Sequence, residues 1–482
     1  MHGLKVAATV LAFLAGNAAA GITEPVTVKG NAFFVGDKRF YVRGLDYQPG
    51  GSSELTDPLA TDSCLRDIPY FQQLGINTIR VYTIDNSKNH DKCMNALSDA
   101  GIYLILDVNT PKFSIKREYP KESYNSIYIQ HVFATVDVFG KYTNTLGFFA
   151  ANEVVDSPTT TGAATYVKAI IRDMKAYIKK HQKRHIPVGY SAADVTSNRM
   201  QIAQYLNCGD EELRSEFHGV NDYSWCGEST MEISGWGDKV KNYTDYSIPV
   251  FLSEYGCNTV PERPFNEVEA LYSDKMTHVF SGGLVYEYSM EPNKYGIVQI
   301  DTLDAKDVKT LPDFDNLKAA FKKTPIPDDD GGYKENGQPS KCPPRTNSWE
   351  ALDDIPPMPD NASKYLELGA GKPRGTNGPS NQYIPSKEQA PTDTGVAGPA
   401  PTDSGEDNVS STKTRASGSP FVTATSSVFV GGEATNTQTS GSASPSQTSS
   451  SGADAAAPRA GLGKMFVAAV VVMTSFLAGM MM

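Results

Sequence analysis

The chain has 482 residues, 39% of them hydrophobic and 21% charged, with a formal net charge of −11. That acidic balance argues against nucleic acid or an anionic lipid surface as a partner. The six cysteines form an even set scattered through a long chain, which suits disulfides in a secreted protein and matches no zinc-site spacing.

Lys5, an apolar run over 6–14 and then Ala18-Ala19-Ala20 have the layout of a cleaved secretory signal, residues 1–20. From residue 22 to 323, short β-rich runs alternate with helix-compatible stretches. Strands are predicted at 40–45, 78–84, 103–108, 146–151, 187–191, 218–223, 250–253 and 283–288, and helical connections at 69–74, 94–100, 164–180 and 272–280. Eight such units close into a (β/α)8 barrel, an α/β fold. A doubly wound open sheet is the alternative, but no glycine-rich phosphate loop follows the first strand.

The composition changes after Lys341-Cys342-Pro343, where Pro, Gly, Ser and Thr take over. This divides the chain into a folded domain over 21–345, with a post-barrel segment, and a disordered linker over 346–452. The Ser/Thr/Pro bias of 390–457 reads as an O-glycosylated stalk. Small residues Ser451, Gly452 and Ala453, a polar spacer over 455–464 and an apolar tail over 465–482 have the order of a glycosylphosphatidylinositol-attachment signal. Attachment is expected at Gly452, with 453–482 as propeptide, anchoring the protein to the outer face of the plasma membrane and the cell wall. A transmembrane helix is the alternative for the tail, which has no basic cluster to mark a cytoplasmic side. Sequons at Asn242, Asn361 and Asn408 fit the secretory route.

In a barrel the chemistry sits where strands end at the C-terminal face. The fourth predicted strand stops in Asn152-Glu153 and the seventh in Glu254-Tyr255-Gly256. Two carboxylates facing each other across the barrel mouth are what glycosidic cleavage needs. Glu153 is expected to protonate the leaving oxygen. Glu254 is expected to attack the anomeric carbon, with the carboxyls about 5–5.5 Å apart for a retaining reaction. Asn152 is placed to bond a sugar 2-hydroxyl. Other strand ends offer Tyr47, Gln48, Tyr82, Asp107, Asn109, Asp194, Tyr223, Trp225, Tyr286 and Glu287, aromatic faces and polar groups suited to sugar. Tyr82 and Tyr286 are expected beside the nucleophile, and Arg80 is a candidate ion-pair partner for it. Two carboxylates and a shaped cleft suffice for this reaction, so no metal or cofactor is implied. Three disulfides are expected, with fifteen possible connectivities among six cysteines.

The stretches Arg43-Gly44-Leu45-Asp46-Tyr47-Gln48-Pro49-Gly50-Gly51, Ile79-Arg80-Val81-Tyr82, Asn152-Glu153, Asn221-Asp222-Tyr223-Ser224-Trp225-Cys226-Gly227, Ser253-Glu254-Tyr255-Gly256 and Tyr286-Glu287-Tyr288-Ser289 carry a resemblance. Together they resemble the fungal, glycolipid-anchored β-1,3-glucanosyltransferases of glycoside hydrolase family 72. The resemblance implies a retaining enzyme that cuts inside a β-1,3-glucan donor and passes the new reducing end to the non-reducing end of an acceptor glucan. It implies Glu153 as acid/base and Glu254 as nucleophile. Glucan contacts are implied at Tyr82, the loop 109–117 from Asn109 to Arg117, Asn152, Asp194, Arg199 and Tyr286, with Gln48, Asp107 and Tyr223 nearby. It also implies bridges between Cys64 and Cys93, Cys208 and Cys342, and Cys226 and Cys257. No cysteine follows Cys342, so the chain resembles the branch without a cysteine-rich carbohydrate-binding module, and glucan capture is expected to rest on the barrel cleft. A plain endo-β-1,3-glucanase and a non-catalytic glucan-binding wall mannoprotein are the competing expectations.

Overall fold

The computed structural model describes residues 21–51, 54–382 and 397–398. The secretory segment, the stalk apart from residues 397–398, Asn408, Gly452 and the apolar tail lie outside them. A three-stranded antiparallel sheet opens the fold: β1 (Val26–Lys29), β2 (Ala32–Val35) and β3 (Lys38–Phe40). Eight parallel strands then close into a barrel in chain order. They are β4 (Val42–Asp46), β5 (Thr78–Val81), β6 (Tyr103–Asp107), β7 (Thr145–Asn152), β8 (Val188–Ala193), β9 (Phe217–Asp222), β10 (Val250–Tyr255) and β11 (Phe280–Val285).

The barrel strands are apolar runs because both of their faces are covered, by helices outside and by packed side chains within. Phe149, Phe217 and Phe251 fill the interior, and Phe33 of β2 reaches into them, its ring centroid 5.9 Å from that of Phe217 and 5.8 Å from that of Phe251. The N-terminal sheet thus plugs the end of the barrel opposite the strand C-termini. The predicted strand at 40–45 splits at Tyr41 into the end of this plug and the start of β4. The eighth strand lies earlier than expected, since residues 286–288 leave the barrel to build its mouth.

The helices are α1 (Ser63–Leu74), α2 (Asp91–Asp99), α3 (Pro120–Ser123), α4 (Ser126–Gly140), α5 (Ala164–His181), α6 (Arg199–Leu206), α7 (Trp236–Tyr243), α8 (Glu267–Leu271), α9 (Pro312–Lys323) and α10 (Ser363–Leu368). The helix predicted at 272–280 is instead a run of turns after α8, closed on the carbonyls of Ser273 and Met276, that gives way to β11 at Phe280. Helix α4 is absent from the sequence-based expectations. Asn125 caps it, accepting from the backbone N–H groups of Ile127 and Tyr128 at 3.1 Å each. It is apolar nearly all round, so it lacks the stripe by which an amphipathic helix is recognised.

The reason for that all-round burial corrects the boundary expected at residue 345. Residues 346–382 do not begin a disordered linker; they pack against the barrel. Trp349 stacks edge-on to Tyr205, with ring centroids 5.5 Å apart, and Trp349, Ala362, Tyr365 and Ala370 are buried. Gln130 of α4 donates to the Ala370 carbonyl (3.1 Å), and Arg172 of α5 donates to that of Pro356 (2.8 Å).

Three disulfides join Cys64 to Cys93, Cys226 to Cys257 and Cys208 to Cys342. The last spans 134 residues and fastens the chain just before its post-barrel run. A Cys208→Ser/Cys342→Ser double variant is expected to lose roughly 3–5 kcal/mol through the larger unfolded-state entropy of a long open loop. An unchanged guanidinium midpoint would show that the packed segment holds itself in place without the bridge. Asn242 on α7 and Asn361 before α10 are both exposed.

Candidate active site

Glu254 is the fifth residue of β10, only 1% exposed, and its carboxylate accepts three hydrogen bonds. Arg80 Nη1 (3.0 Å) and Tyr82 Oη (2.9 Å) donate to Oε1, and Tyr223 Oη (2.7 Å) donates to Oε2. Burial pushes both tyrosine hydroxyls well above their ordinary range, so they remain protonated donors. Arg80 is the hub beneath. From β5 its guanidinium grips Asp107 of β6 with two bonds (2.8 and 3.2 Å), the Ser253 carbonyl (3.1 Å) and Asn152 Oδ1 (3.1 Å). It lies over the Phe149 ring, 4.5 Å from the centroid. Strands β5, β6, β7 and β10 are thereby cross-linked through one fully buried cation, which fixes the Glu254 side chain in a single direction. Asp46 of β4 lies 3.9 Å from Arg80 Nη1, and burial, only partly offset by that guanidinium, pushes its carboxyl well up.

Glu153 follows β7 directly. Its backbone has φ +47°, a left-handed conformation that costs a non-glycine residue about 1–3 kcal/mol and persists only where neighbours over-determine it. Its N–H donates to the Ser191 carbonyl (2.9 Å), and Arg117 Nη2 donates to its own carbonyl (2.9 Å). Arg117 also pairs with Asp156. Asn221 Nδ2 donates to Glu153 Oε1 (2.9 Å) and to Asn152 Oδ1 (3.1 Å). Asn221 Oδ1 in turn accepts from Ser191 (2.9 Å) and Ser253 (2.7 Å), in a layer for which Gly219 leaves room, since a Cβ there would lie 2.5 Å from Ser253 Oγ. Burial first, and then the negative charge of Glu254, raise the Glu153 carboxyl to about 7. Two carboxyls on opposed strands thus stand in different settings. One is held by three donors, and the other keeps its proton near neutrality, the pattern that separates acid from nucleophile in glycosidases.

Tyr82, Tyr223, Tyr286 and Tyr295 form an aromatic cluster at the mouth, with centroids 5.3–6.4 Å apart. Arg263, anchored on Asp313, holds the segment carrying Tyr286 through the carbonyls of Gly256 (3.1 Å), Tyr286 (2.7 Å) and Tyr295 (2.5 Å). Asn152 spends its carbonyl oxygen on Arg80 and Asn221, which leaves its amide N–H groups for a ligand. A groove continues over the ends of β5, β6 and β7, lined by Tyr82, Asn109, Ser114, Arg117, Asn152 and Gln382.

Several candidates turn out to be supports. Gln48 uses its whole amide internally, donating to Thr56 and the Thr83 carbonyl and accepting from the N–H groups of Tyr82 and Thr83, so no valence remains for sugar. Asp107 is consumed by Arg80. Tyr47 is buried and donates to Asp67 (2.8 Å), while Trp225 packs on Trp236 at 5.0 Å. Glu287 is buried and accepts from Asn293 (2.7 Å). Asp194 and Arg199 pair with each other (2.8 Å) and join Lys239 and Asp222 in a separate ion cluster at the ends of β8 and β9. Sequence reasoning missed Asn221, Tyr295 and Lys239 as parts of these networks. Asn221 sits one residue before the end of β9, the position that singled out the glutamates, but a polar pair inside a strand end reads equally well as structural. Among the described residues no group of three or more His, Cys, Asp or Glu side chains could hold a metal ion.

Residues 15–325 match the family described as glucanosyltransferase, glycoside hydrolase 72. The 1,3-beta-glucanosyltransferase gas4 of Schizosaccharomyces pombe is 57% identical over 75% of this chain and 81% of its own length. The 1,3-beta-glucanosyltransferase gel1 of Aspergillus fumigatus is 57% identical over 77% of this chain and 82% of its own. The solved structure of a Saccharomyces cerevisiae Gas2 variant in complex with laminaritetraose and laminaripentaose superposes with a TM-score of 0.64 at 42% identity, covering 71% of this chain and 76% of that one.

Proposed function

The chain belongs to the glucanosyltransferases of glycoside hydrolase family 72, and from that premise we propose that Glu254 and Glu153 carry out a double displacement on β-1,3-glucan. It is an enzyme that acts by transglycosylation on β-1,3-glucan, like the relatives it matches. In the first step a Glu254 carboxylate oxygen bonds to the anomeric carbon while the glycosidic C–O bond breaks. Glu153 gives its proton to the departing oxygen, and the reducing-end fragment leaves. In the second step Glu153, now a carboxylate, takes the proton of an acceptor glucan's terminal hydroxyl. That oxygen displaces Glu254, restoring the original configuration and lengthening the acceptor. The observation that carries this reading is the unlike pair itself: a Glu254 with three donors, and a Glu153 whose proton is retained to about 7.

Location outside the cell, in contact with wall glucan, accords with the three disulfides. No helix among the described residues is long and apolar enough to cross a membrane. Attachment through a glycolipid at Gly452, on a glycosylated stalk, is the further part of the proposal.

The test is product analysis after incubating the full chain with a reduced β-1,3-glucan oligosaccharide. Products longer than the substrate are expected. Shorter products alone would mean that water resolves the intermediate, as in an endo-glucanase, and no product at all would leave only a binding role.

A further inference from the structure

The post-barrel segment does more than cover α4. One stretch of it, residues 375–382, runs along the loop 109–117 and is tied to it at both ends. Gly375 N–H donates to Asn86 Oδ1 (2.9 Å) and Thr376 Oγ1 to Asp85 Oδ2 (3.2 Å), which seats the strap beyond β5. Gly375 has φ +63°, and a Cβ there would lie 2.1 Å from Asp85 Oδ1, so the seat takes only glycine. Lys112 Nζ reaches back to the Thr376 carbonyl (2.8 Å), and Ser380 Oγ donates to the Lys112 carbonyl (2.9 Å).

Asn381, 1% exposed, completes the clamp. Its Nδ2 donates to the carbonyls of Ser114 (2.8 Å) and Ser123 (2.6 Å), and its Oδ1 accepts from Ser114 N–H (3.1 Å). Gln382 Nε2 donates to the Ser114 carbonyl (2.7 Å), and the residue lines the groove opposite Asn152 and Tyr82. Between Asn109 and Arg117 the loop's own backbone bonds are those between Thr110 and Phe113, so its shape is set chiefly from outside. In the same wall Asn109 Oδ1 is a buried acceptor with no hydrogen-bond partner, the kind of group that a ligand hydroxyl satisfies.

We propose that residues 375–382 are a working part of the glucan groove: Asn381 positions the loop 109–117, and Gln382 contacts a glucosyl unit that the catalytic pair does not touch. The proposal rests on the β-1,3-glucan reading above. It replaces the expectation that glucan capture rests on the barrel cleft alone, because Gln382, part of the groove's lining, comes from beyond the last disulfide. A preorganised loop loses less freedom when sugar binds, so loosening it weakens binding, while Arg117, the loop residue that bonds the Glu153 carbonyl, keeps its separate anchor on Asp156.

The test uses the full chain carrying Asn381→Ala or Gln382→Ala, with Leu368→Ser, exposed and remote from the groove, as control. Initial rates are measured on β-1,3-glucan oligosaccharides of increasing length, and Tm is recorded for each variant. KM for oligosaccharides long enough to fill the groove should rise about 5–10-fold, the worth of about one neutral hydrogen bond. For the shortest substrate cleaved, KM and kcat of Gln382→Ala should stay within about two-fold of wild type, as those of the control should at every length. Gln382→Ala removes a half-buried side chain whose amide donates to the Ser114 carbonyl and to Asn381 Oδ1, and it keeps the test open if Asn381→Ala folds poorly. Unchanged KM at all lengths in Gln382→Ala, or an equal loss at every length, would overturn the proposal while leaving the glucan reading in place. An inert wild-type chain would overturn both.

Discussion

Glu254→Gln should lower turnover of β-1,3-glucan oligosaccharides on the order of 10⁴-fold or more, the scale seen when a covalent nucleophile is removed. The substitution keeps the shape of the side chain and replaces a nucleophilic carboxylate oxygen by an amide NH2, so the cleft should still bind glucan with an affinity within a few-fold of wild type. Arg80 is not left stranded, because Asp107 holds it with two hydrogen bonds. A second effect follows from the same charge. Glu254 is one of the causes that raise the Glu153 carboxyl, after burial, so in Glu254→Gln the Glu153 titration should move down from about 7 yet stay above an ordinary glutamate. Rapid-quench mass spectrometry gives the direct reading. Wild type should accumulate a glycosyl-enzyme adduct on a peptide containing residue 254, and the variant should show none. Transfer by Glu254→Gln at near wild-type rate would remove Glu254 from the mechanism.

The places of Glu153 and Glu254 in the fold were legible because each stands one residue beyond an apolar run, and the count of runs placed them at the fourth and seventh strands of a barrel. The supports beneath them were only half legible. Arg80 was a plausible partner for Glu254, but its simultaneous grip on Asp107, Asn152 and the Ser253 carbonyl depends on four strands meeting at one height, which no linear pattern encodes. Gln48 shows the opposite error. A polar side chain at a strand end looks like a sugar contact until its amide is found filled by the backbone of Thr56 and of Tyr82 and Thr83.

Residues 346–382 failed for a related reason. Their composition is poor in apolar runs, so they read as linker, yet single anchors such as Trp349 and Tyr365 and many backbone bonds suffice when a hydrophobic surface already waits on α4 and α5. The missed helix and the misread linker explain each other. An α4 buried on nearly every side is the signature of a second layer covering it, and the covering chain had to come from somewhere in the sequence.

Glu153→Gln should behave differently from Glu254→Gln, and the difference separates the two roles. Loss of the general acid should cost roughly 10²–10⁴-fold in kcat/KM on glucan, where the leaving oxygen needs a proton. On an aryl β-glucoside of a glucan oligosaccharide, whose leaving group departs as a stable phenolate, the first step should be nearly unaffected and the glycosyl-enzyme should build up. The pH profile supplies the sign. Glu153 donates only while protonated, so wild-type kcat/KM on glucan should fall about tenfold per pH unit above about 7, the limb belonging to the carboxyl raised to about 7. In Glu153→Gln that alkaline limb should vanish, since an amide does not titrate. Asn221→Ala, which removes the donor to Glu153 Oε1, should instead move the limb to higher pH, because that hydrogen bond favours the charged form. A limb that stays near 7 in Glu153→Gln would mean that another group, such as Asp46 or Glu287, sets the pH dependence, and the assignment of the acid would pass to it.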